Sequence, residues 1–77
     1  AAIKLNPEDP YCYNNRGVAY HKKGEYETAI HDFSRAIELN PGYAKAYQNR
    51  GEAHQKLGHR MRAFLDFYEA EKLQRDE

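Results

Sequence analysis

The side chains that could perform nucleophilic, acid–base or metal chemistry at neutral pH are one cysteine and four histidines: Cys12, His21, His31, His54 and His59. A catalytic site requires a nucleophile, a base and an orienting group that are held together. Cys12 lies near the expected start of a helix, where a thiolate is stabilised. The corresponding position of the internal repeat described below is Ala46, which favours a small packing residue over a nucleophile.

The histidines do not form a recognisable set of metal ligands. No two of them have the HxxxH spacing that places two imidazoles on one face of a helix, so we expect no bound metal. His54 is expected to pack in the interior and the other three at the surface. The five glycines are spaced as turns or helix contacts, not as a phosphate-binding loop. The sequence therefore predicts a protein that is not an enzyme and binds no cofactor.

The chain is short and electrically neutral. Its 77 residues suffice for at most one small domain, and 12 basic residues balance 12 acidic ones. Without a basic stripe, binding to nucleic acid or to an anionic membrane is not expected. The apolar runs are too short to span a bilayer, and a single cysteine excludes an internal disulfide. A reducing compartment, cytoplasmic or nuclear, is the expected location.

The strongest pattern in the chain is an internal repeat with a period of 34 residues. Residues 10–43 and 44–77 are identical at 12 aligned positions. The identical pairs are Tyr13/Tyr47, Asn15/Asn49, Arg16/Arg50, Gly17/Gly51, Ala19/Ala53, Lys22/Lys56, Gly24/Gly58, Ala29/Ala63, Asp32/Asp66, Phe33/Phe67, Ala36/Ala70 and Leu39/Leu73. A period of this length is typical of stacked repeats, in which each unit buries its apolar face against its neighbours.

Each repeat is expected to form two helices joined by a tight turn. Asp9 is a suitable N-cap, and Pro10 fits the first position of a helix. Gly24 and Gly58 end the first helix of each repeat, because glycine adopts a left-handed conformation without strain. The expected helices cover residues 10–23 and 25–39 in repeat one and 44–57 and 59–75 in repeat two. Residues 1–7 closely copy residues 35–41, so residues 1–9 are expected to be the end of a preceding repeat and a turn.

Small residues inside the expected helices indicate where helices cross closely. Gly17 and Gly51 lie within helices, where glycine costs about 0.5–1 kcal/mol relative to alanine. This cost is explained if the second helix of each repeat leaves no room for a Cβ atom. Ala29 and Ala36 are expected to play the same part on the second helix, with aromatic side chains filling the remaining space.

These landmarks resemble those of the tetratricopeptide repeat family. The matching positions are Tyr13 and Tyr47, Arg16-Gly17 and Arg50-Gly51, Tyr20 (His54 in repeat two), Ala29/Phe33 and Ala63/Phe67, and Pro41 with Pro7 before it. Arginine replaces the leucine of the family's Leu-Gly pair. The resemblance covers essentially the whole chain. It implies an all-α fold of stacked antiparallel helix-turn-helix repeats, a right-handed α-solenoid.

The resemblance also implies where a partner would bind. In tetratricopeptide arrays the first helix of each repeat lines a concave surface that holds a peptide segment. We call the twelve corresponding residues the groove face: Tyr11, Asn14, Asn15, Val18, His21 and Lys22 in repeat one, and Lys45, Gln48, Asn49, Glu52, Gln55 and Lys56 in repeat two. Asn15 and Asn49 favour binding over a merely solvated face, because an amide both donates to and accepts from a peptide backbone.

Three functions remain open from the sequence. The first is a protein–protein interaction module that binds a peptide segment of a partner in the groove. The second is a structural spacer or scaffold segment with no groove ligand, and the third is a catalytic domain that uses His21 or Cys12. Within the family, the carboxylate-clamp domains bind acidic C-terminal tails, and here Asn15 and Lys45 match two clamp positions. Asn49 occupies the position of the clamp arginine, and the first clamp repeat is absent.

Repeat two departs from repeat one on its second helix. Ile37 is replaced by Glu71, which suits an end that faces water. Met61, Leu65 and Tyr68 form an additional apolar stripe with i, i+4, i+7 spacing. An apolar stripe of this kind usually packs against another part of the chain or against another protein. We expect it to be covered by a following helix or, as the alternative, by self-association through open repeat ends.

Overall fold

The computed structural model describes residues 7–75 and contains four helices. They are α1 (Pro10–Lys22), α2 (Tyr26–Leu39), α3 (Ala44–Lys56) and α4 (Arg60–Arg75), and no strand occurs within these residues. α1 packs on α2, α3 packs on α4, and α2 joins the two hairpins by packing on α3. The expected all-α fold of stacked helical hairpins is confirmed. Residues 1–6 of the expected preceding repeat lie outside the described residues.

The ends of the helices follow from local chemistry. The Asp9 carboxylate accepts a hydrogen bond from the Tyr11 backbone N–H at 2.9 Å, and Pro10 occupies the first turn. Gly24 and Gly58 have φ angles of 82° and 81°, in the left-handed region. This conformation lets the Glu25 backbone N–H donate to the Tyr20 carbonyl at 2.9 Å, which closes the end of α1.

The core of each repeat is a phenylalanine ring that lies on a glycine. Phe33 is completely buried, and a Cβ atom added to Gly17 would lie 2.5 Å from its Cε1 atom. In repeat two, a Cβ atom on Gly51 would lie 2.8 Å from Cε1 of Phe67. The close helix crossings that explain these glycines are therefore present in both repeats.

A partly buried ion pair ties the two helices of each repeat together. Arg16 donates two hydrogen bonds to the Asp32 carboxylate, both at 2.8 Å, and Arg50 binds Asp66 in the same way at 2.9 and 2.8 Å. Both aspartates are only 5% exposed. The hydrogen bond to Asp32 raises the pKa of Arg16 above its ordinary value. This bidentate contact explains why arginine stands where the family has leucine, since the guanidinium satisfies a carboxylate that would otherwise be buried alone.

The described helices include none that is both long and apolar enough to cross a membrane.

Candidate functional site

A depression of about 180 Å³ lies between α1 and α3, above the Phe33 ring of α2. It is lined by Val18, His21, Lys22, Phe33, Asn49 and Glu52. Five of these six residues belong to the groove face, and they come from both repeats. The stacking of α3 beside α1 therefore brings together side chains that are about thirty residues apart in the sequence.

The rest of the groove face is mostly accessible to solvent. Gln48 is half-buried, and Asn14 is buried. The exposed members outside the depression are Tyr11, Asn15, Lys45, Gln55 and Lys56. Tyr11 is 57% exposed, and its ring meets that of Tyr43 edge-on at a centroid distance of 5.0 Å. Gln55 lines a separate depression against α4, so it does not join the central group.

Asn14 lies beneath this surface, although the family resemblance implied that it would face a ligand. Its side chain is only 5% exposed, and its Oδ1 atom accepts a hydrogen bond from Asn49 Nδ2 at 3.0 Å. Tyr43 is also hydrogen-bonded to Asn14, which opposes the rise in the Tyr43 pKa that burial causes. Asn14 thus links α1 to α3 and positions Asn49. Its helical spacing could not reveal this role, because Asn49 belongs to the next repeat.

His21 also differs from the expected surface histidine. Its ring packs edge-on against Tyr26 with a centroid distance of 5.0 Å. Its Nε2 atom is buried and has no hydrogen-bond partner within residues 7–75. His21 thus lines the central depression, while its Nε2 atom is a buried polar group without a partner among these residues, which costs stability.

A second group of titratable side chains lies where α3 meets α4. His54 is 7% exposed, as expected for a packing residue, and its Nδ1 atom is 3.1 Å from Nδ1 of His59. His54 Nε2 lies 3.9 Å from the Asp66 carboxylate. The described residues contain no group of three or more side chains that could hold a metal ion. The sequence did not suggest the His54–His59 contact, because it depends on the turn between the two helices.

The buried position of His54 predicts that the stability of the chain depends on pH. Burial lowers the pKa of His54 below 6.5, with further contributions from His59, Arg50 and Arg62, while Asp66 opposes the shift. The folded chain therefore binds this proton less readily than the unfolded chain does. The free energy of unfolding is expected to be highest above about pH 6.5 and to fall as the pH is lowered, by at most about 1.4 kcal/mol per pH unit for one proton. Thermal unfolding between about pH 7.5 and about pH 5.5 measures this loss.

The matched variant for this prediction is His54→Tyr, because Tyr20 occupies the same position in repeat one. It should unfold with a smaller pH dependence than the parent chain. His31→Gln replaces an exposed histidine and should leave the pH dependence unchanged. An equal loss of stability at low pH in the parent and in His54→Tyr would show that His54 does not cause it.

The fold is closely similar to that of several solved structures. The first tetratricopeptide domain of Spaghetti (RPAP3), bound to the HSP90 peptide SRMEEVD, superposes with a TM-score of 0.89 at 30% identity. The match covers 94% of this chain and 57% of that one. Two crystal structures of MamA superpose with TM-scores of 0.88 and 0.83 at 32% and 33% identity, covering 95% and 97% of this chain. Each match covers 43% of the MamA chain, so this chain spans about half the length of the proteins it resembles.

Two family models, both described as tetratricopeptide repeat, match the sequence itself. One matches residues 10–43 and the other residues 33–64. The first coincides with repeat one, and the second runs from α2 into α4. Together with the stacked hairpins and their glycine–phenylalanine cores, these matches show that the chain belongs to the tetratricopeptide repeat family.

Proposed function

We propose that this chain is a protein–protein interaction module that binds an extended, acidic peptide segment along the groove face. The observation that carries the proposal is the depression between α1 and α3. Its floor is apolar, with Phe33 and Val18, and its walls present His21, Asn49 and charged side chains. An apolar hollow with a few convergent polar groups is the usual form of a ligand site.

The charges of the groove face favour an acidic ligand. Lys22, Lys45 and Lys56 are all exposed, whereas Glu52 is the one carboxylate among the twelve residues. Lysines distributed along a groove attract carboxylates and speed their association, an effect that salt weakens. The chain is neutral as a whole, so this preference is local to the surface.

A structural relative supports the same kind of ligand. The Spaghetti domain is bound to the peptide SRMEEVD, which carries three acidic residues. Asn15 and Lys45 are the two groove-face residues that match clamp positions. Because Asn49 stands at the position of the clamp arginine, recognition here is proposed to rest on amide hydrogen bonds and dispersed lysines.

A direct binding measurement tests the proposal. We expect labelled SRMEEVD to bind this chain in fluorescence anisotropy, with an affinity that falls between about 50 mM and about 500 mM salt. A control peptide with lysine in place of the three acidic residues should bind more weakly. Equal binding of the two peptides, or no binding of either, would contradict the proposal.

Asn15 is the groove-face residue whose replacement tests this surface with least effect on the fold. Its side chain is exposed, so Asn15→Ala should remove a hydrogen bond to the peptide and leave the helices intact. The expected loss is about 0.5–1.5 kcal/mol of binding free energy, or roughly 2- to 13-fold in Kd. Gln74→Ala removes an exposed amide from α4 and should leave Kd unchanged. A Kd unaffected by Asn15→Ala would remove the residue from the proposed site.

Asn49→Ala requires a separate measurement, because Asn49 also holds Asn14. Without the hydrogen bond from Asn49, the buried Oδ1 atom of Asn14 loses a donor. The variant should therefore bind peptide more weakly and also unfold at a lower temperature. Circular dichroism at the temperature of the binding assay separates the two effects.

The alternative function is a structural spacer or scaffold segment whose groove stays empty. It predicts that substitutions in the groove face leave peptide binding unchanged. Loss of peptide binding in Asn15→Ala would favour the interaction module over the spacer.

A further inference from the structure

The contact between α2 and α3 shows how one repeat covers the next in this fold. Ile30 and Phe33 of α2 pack with Ala53 of α3, and both Phe33 and Ala53 are 0% exposed. Arg50 of α3 extends the contact by donating a hydrogen bond from Nη1 to Ser34 Oγ at 3.1 Å. A small residue on α3, the first helix of repeat two, thus packs against large side chains of α2, the second helix of repeat one.

α4 carries the corresponding surface, but within residues 7–75 it packs only on α3. Phe64 and Tyr68, at the positions of Ile30 and Ser34, are 61% and 50% exposed, and their rings stack at 6.4 Å. Phe67 is half-buried, although its counterpart in repeat one is completely buried.

A second depression lies above α4 and resembles the one between α1 and α3. A depression of about 240 Å³ is lined by Gln55, Arg60, Ala63, Phe64 and Phe67. Gln55 and Phe67 correspond to His21 and Phe33, which line the depression between α1 and α3. In that depression α3 provides the second wall. The depression above α4 has no such wall among the described helices.

α1 presents the surface that α3 uses to cover α2. Cys12 and Ala19 stand at the positions of Ala46 and Ala53, and Arg16 stands at the position of Arg50. Ala46 and Ala53 are 0% exposed, whereas Cys12 and Ala19 are only half-buried. The side of α1 that corresponds to the covering side of α3 is thus partly open to solvent.

We propose that this chain associates with a second copy of itself, head to tail, with α4 of one copy packed on α1 of the next. We expect this contact to resemble the one between α2 and α3. On α3, small residues pack against the large side chains of α2, and α1 has small residues at the same positions. One difference favours the new contact. Glu52 lines the depression over Phe33, and Val18 stands at its position on α1, so the half-buried ring of Phe67 would meet an apolar side chain instead of a carboxylate.

The symmetry of this contact determines how the assembly grows. α4 and α1 are different surfaces, so the contact is heterologous and each added copy leaves one free surface of each kind. Stacks longer than two are therefore expected at high concentration. Because the chain carries no net formal charge, electrostatic repulsion between copies is small.

Sedimentation equilibrium of the 77-residue chain tests the association. The mean mass should rise from that of the monomer as the concentration increases from about ten to several hundred micromolar. Phe64→Glu should weaken the association roughly tenfold or more, because it places a carboxylate in an apolar contact. Gln74→Glu makes the same charge change on an exposed part of α4 and should behave like the parent chain.

Mixing two variants tests the head-to-tail arrangement. Ala19→Glu disrupts the α1 surface and Phe64→Glu disrupts the α4 surface, so each variant alone should associate at least about tenfold more weakly than the parent chain. An equimolar mixture should form a 1:1 dimer and nothing larger, because one intact surface of each kind remains. If Ala19→Glu proves misfolded by circular dichroism, Cys12→Arg blocks the same side of α1.

Three results would overturn the proposal. The first is a parent chain that remains strictly monomeric at several hundred micromolar. The second is an Ala19→Glu variant that folds and still associates like the parent, which would indicate contact between two α4 helices. The third is a mixture of the two folded variants that forms no dimer.

Discussion

Replacing Phe33 by alanine is expected to lower the free energy of unfolding by about 3–5 kcal/mol. The ring is 0% exposed, lies against Gly17 and packs with Ala29 and Ala53 of the core. Its removal leaves a cavity where both hairpins meet, and the surrounding helices can only partly close it. For a domain this small, the loss is a large share of the total stability. Urea denaturation followed by circular dichroism measures it.

His31→Ala is the matched control on the same helix. His31 is exposed two residues before Phe33, so its truncation should cost no more than about 0.5 kcal/mol. Similar losses at the two positions would contradict the assigned buried and exposed faces of α2.

Replacing Gly17 by leucine should also destabilise the chain strongly, by at least about 1–3 kcal/mol. A Cβ atom at Gly17 would lie 2.5 and 2.7 Å from Cε1 and Cδ1 of Phe33, so the ring or a helix must move. The ring is 0% exposed and packed among the helices, so we expect α1 and α2 to separate when the leucine side chain is added. Thermal unfolding of the variant should show a clearly lower Tm than that of the parent.

Two comparisons make the Gly17 prediction specific. Gly42→Leu places the same side chain in an exposed turn where a Cβ atom meets only Asn40 Oδ1, at 3.7 Å, and should change stability little. Gly17→Ala should cost less in a Phe33→Leu background than in the parent, because the aromatic ring is then absent. An unchanged Tm for Gly17→Leu would show that the close crossing is absent.

Local patterns predicted most of the fold. The 34-residue period, the Asp9 cap and the left-handed glycines at 24 and 58 depend on residues close together in the chain, so they could be recognised without tertiary structure. Gly17 and Phe33 were recognised as core positions because small and large residues recur at fixed places in both repeats.

The groove face could be predicted only in part. The family resemblance placed Val18, His21 and Lys22 in the groove, and their helical spacing agrees with this, but neither could show how closely α3 approaches α1. Asn14 became a buried link to Asn49 because α3 lies against α1 there. His21 became half-buried because Tyr26 of α2 lies beside its ring.

The ion pairs could also be predicted only in part. Arg16 and Asp32 recur as Arg50 and Asp66, so the sequence contained a signal for the two ion pairs, yet repetition alone does not state which residues touch. Only the packing of the two helices of each repeat brings the guanidinium to the carboxylate and excludes water from it.

The sequence by itself thus determined the repeat, the helix ends, the glycine crossings and the family resemblance, because each depends on local spacing or on direct repetition. The tertiary structure decided which side chains are buried between repeats, which nitrogen of the groove lacks a partner, and which surface of α4 stays open. These properties depend on contacts between helices far apart in the chain, and burial and hydrogen bonding at such contacts are set by the distance and angle at which the helices pack.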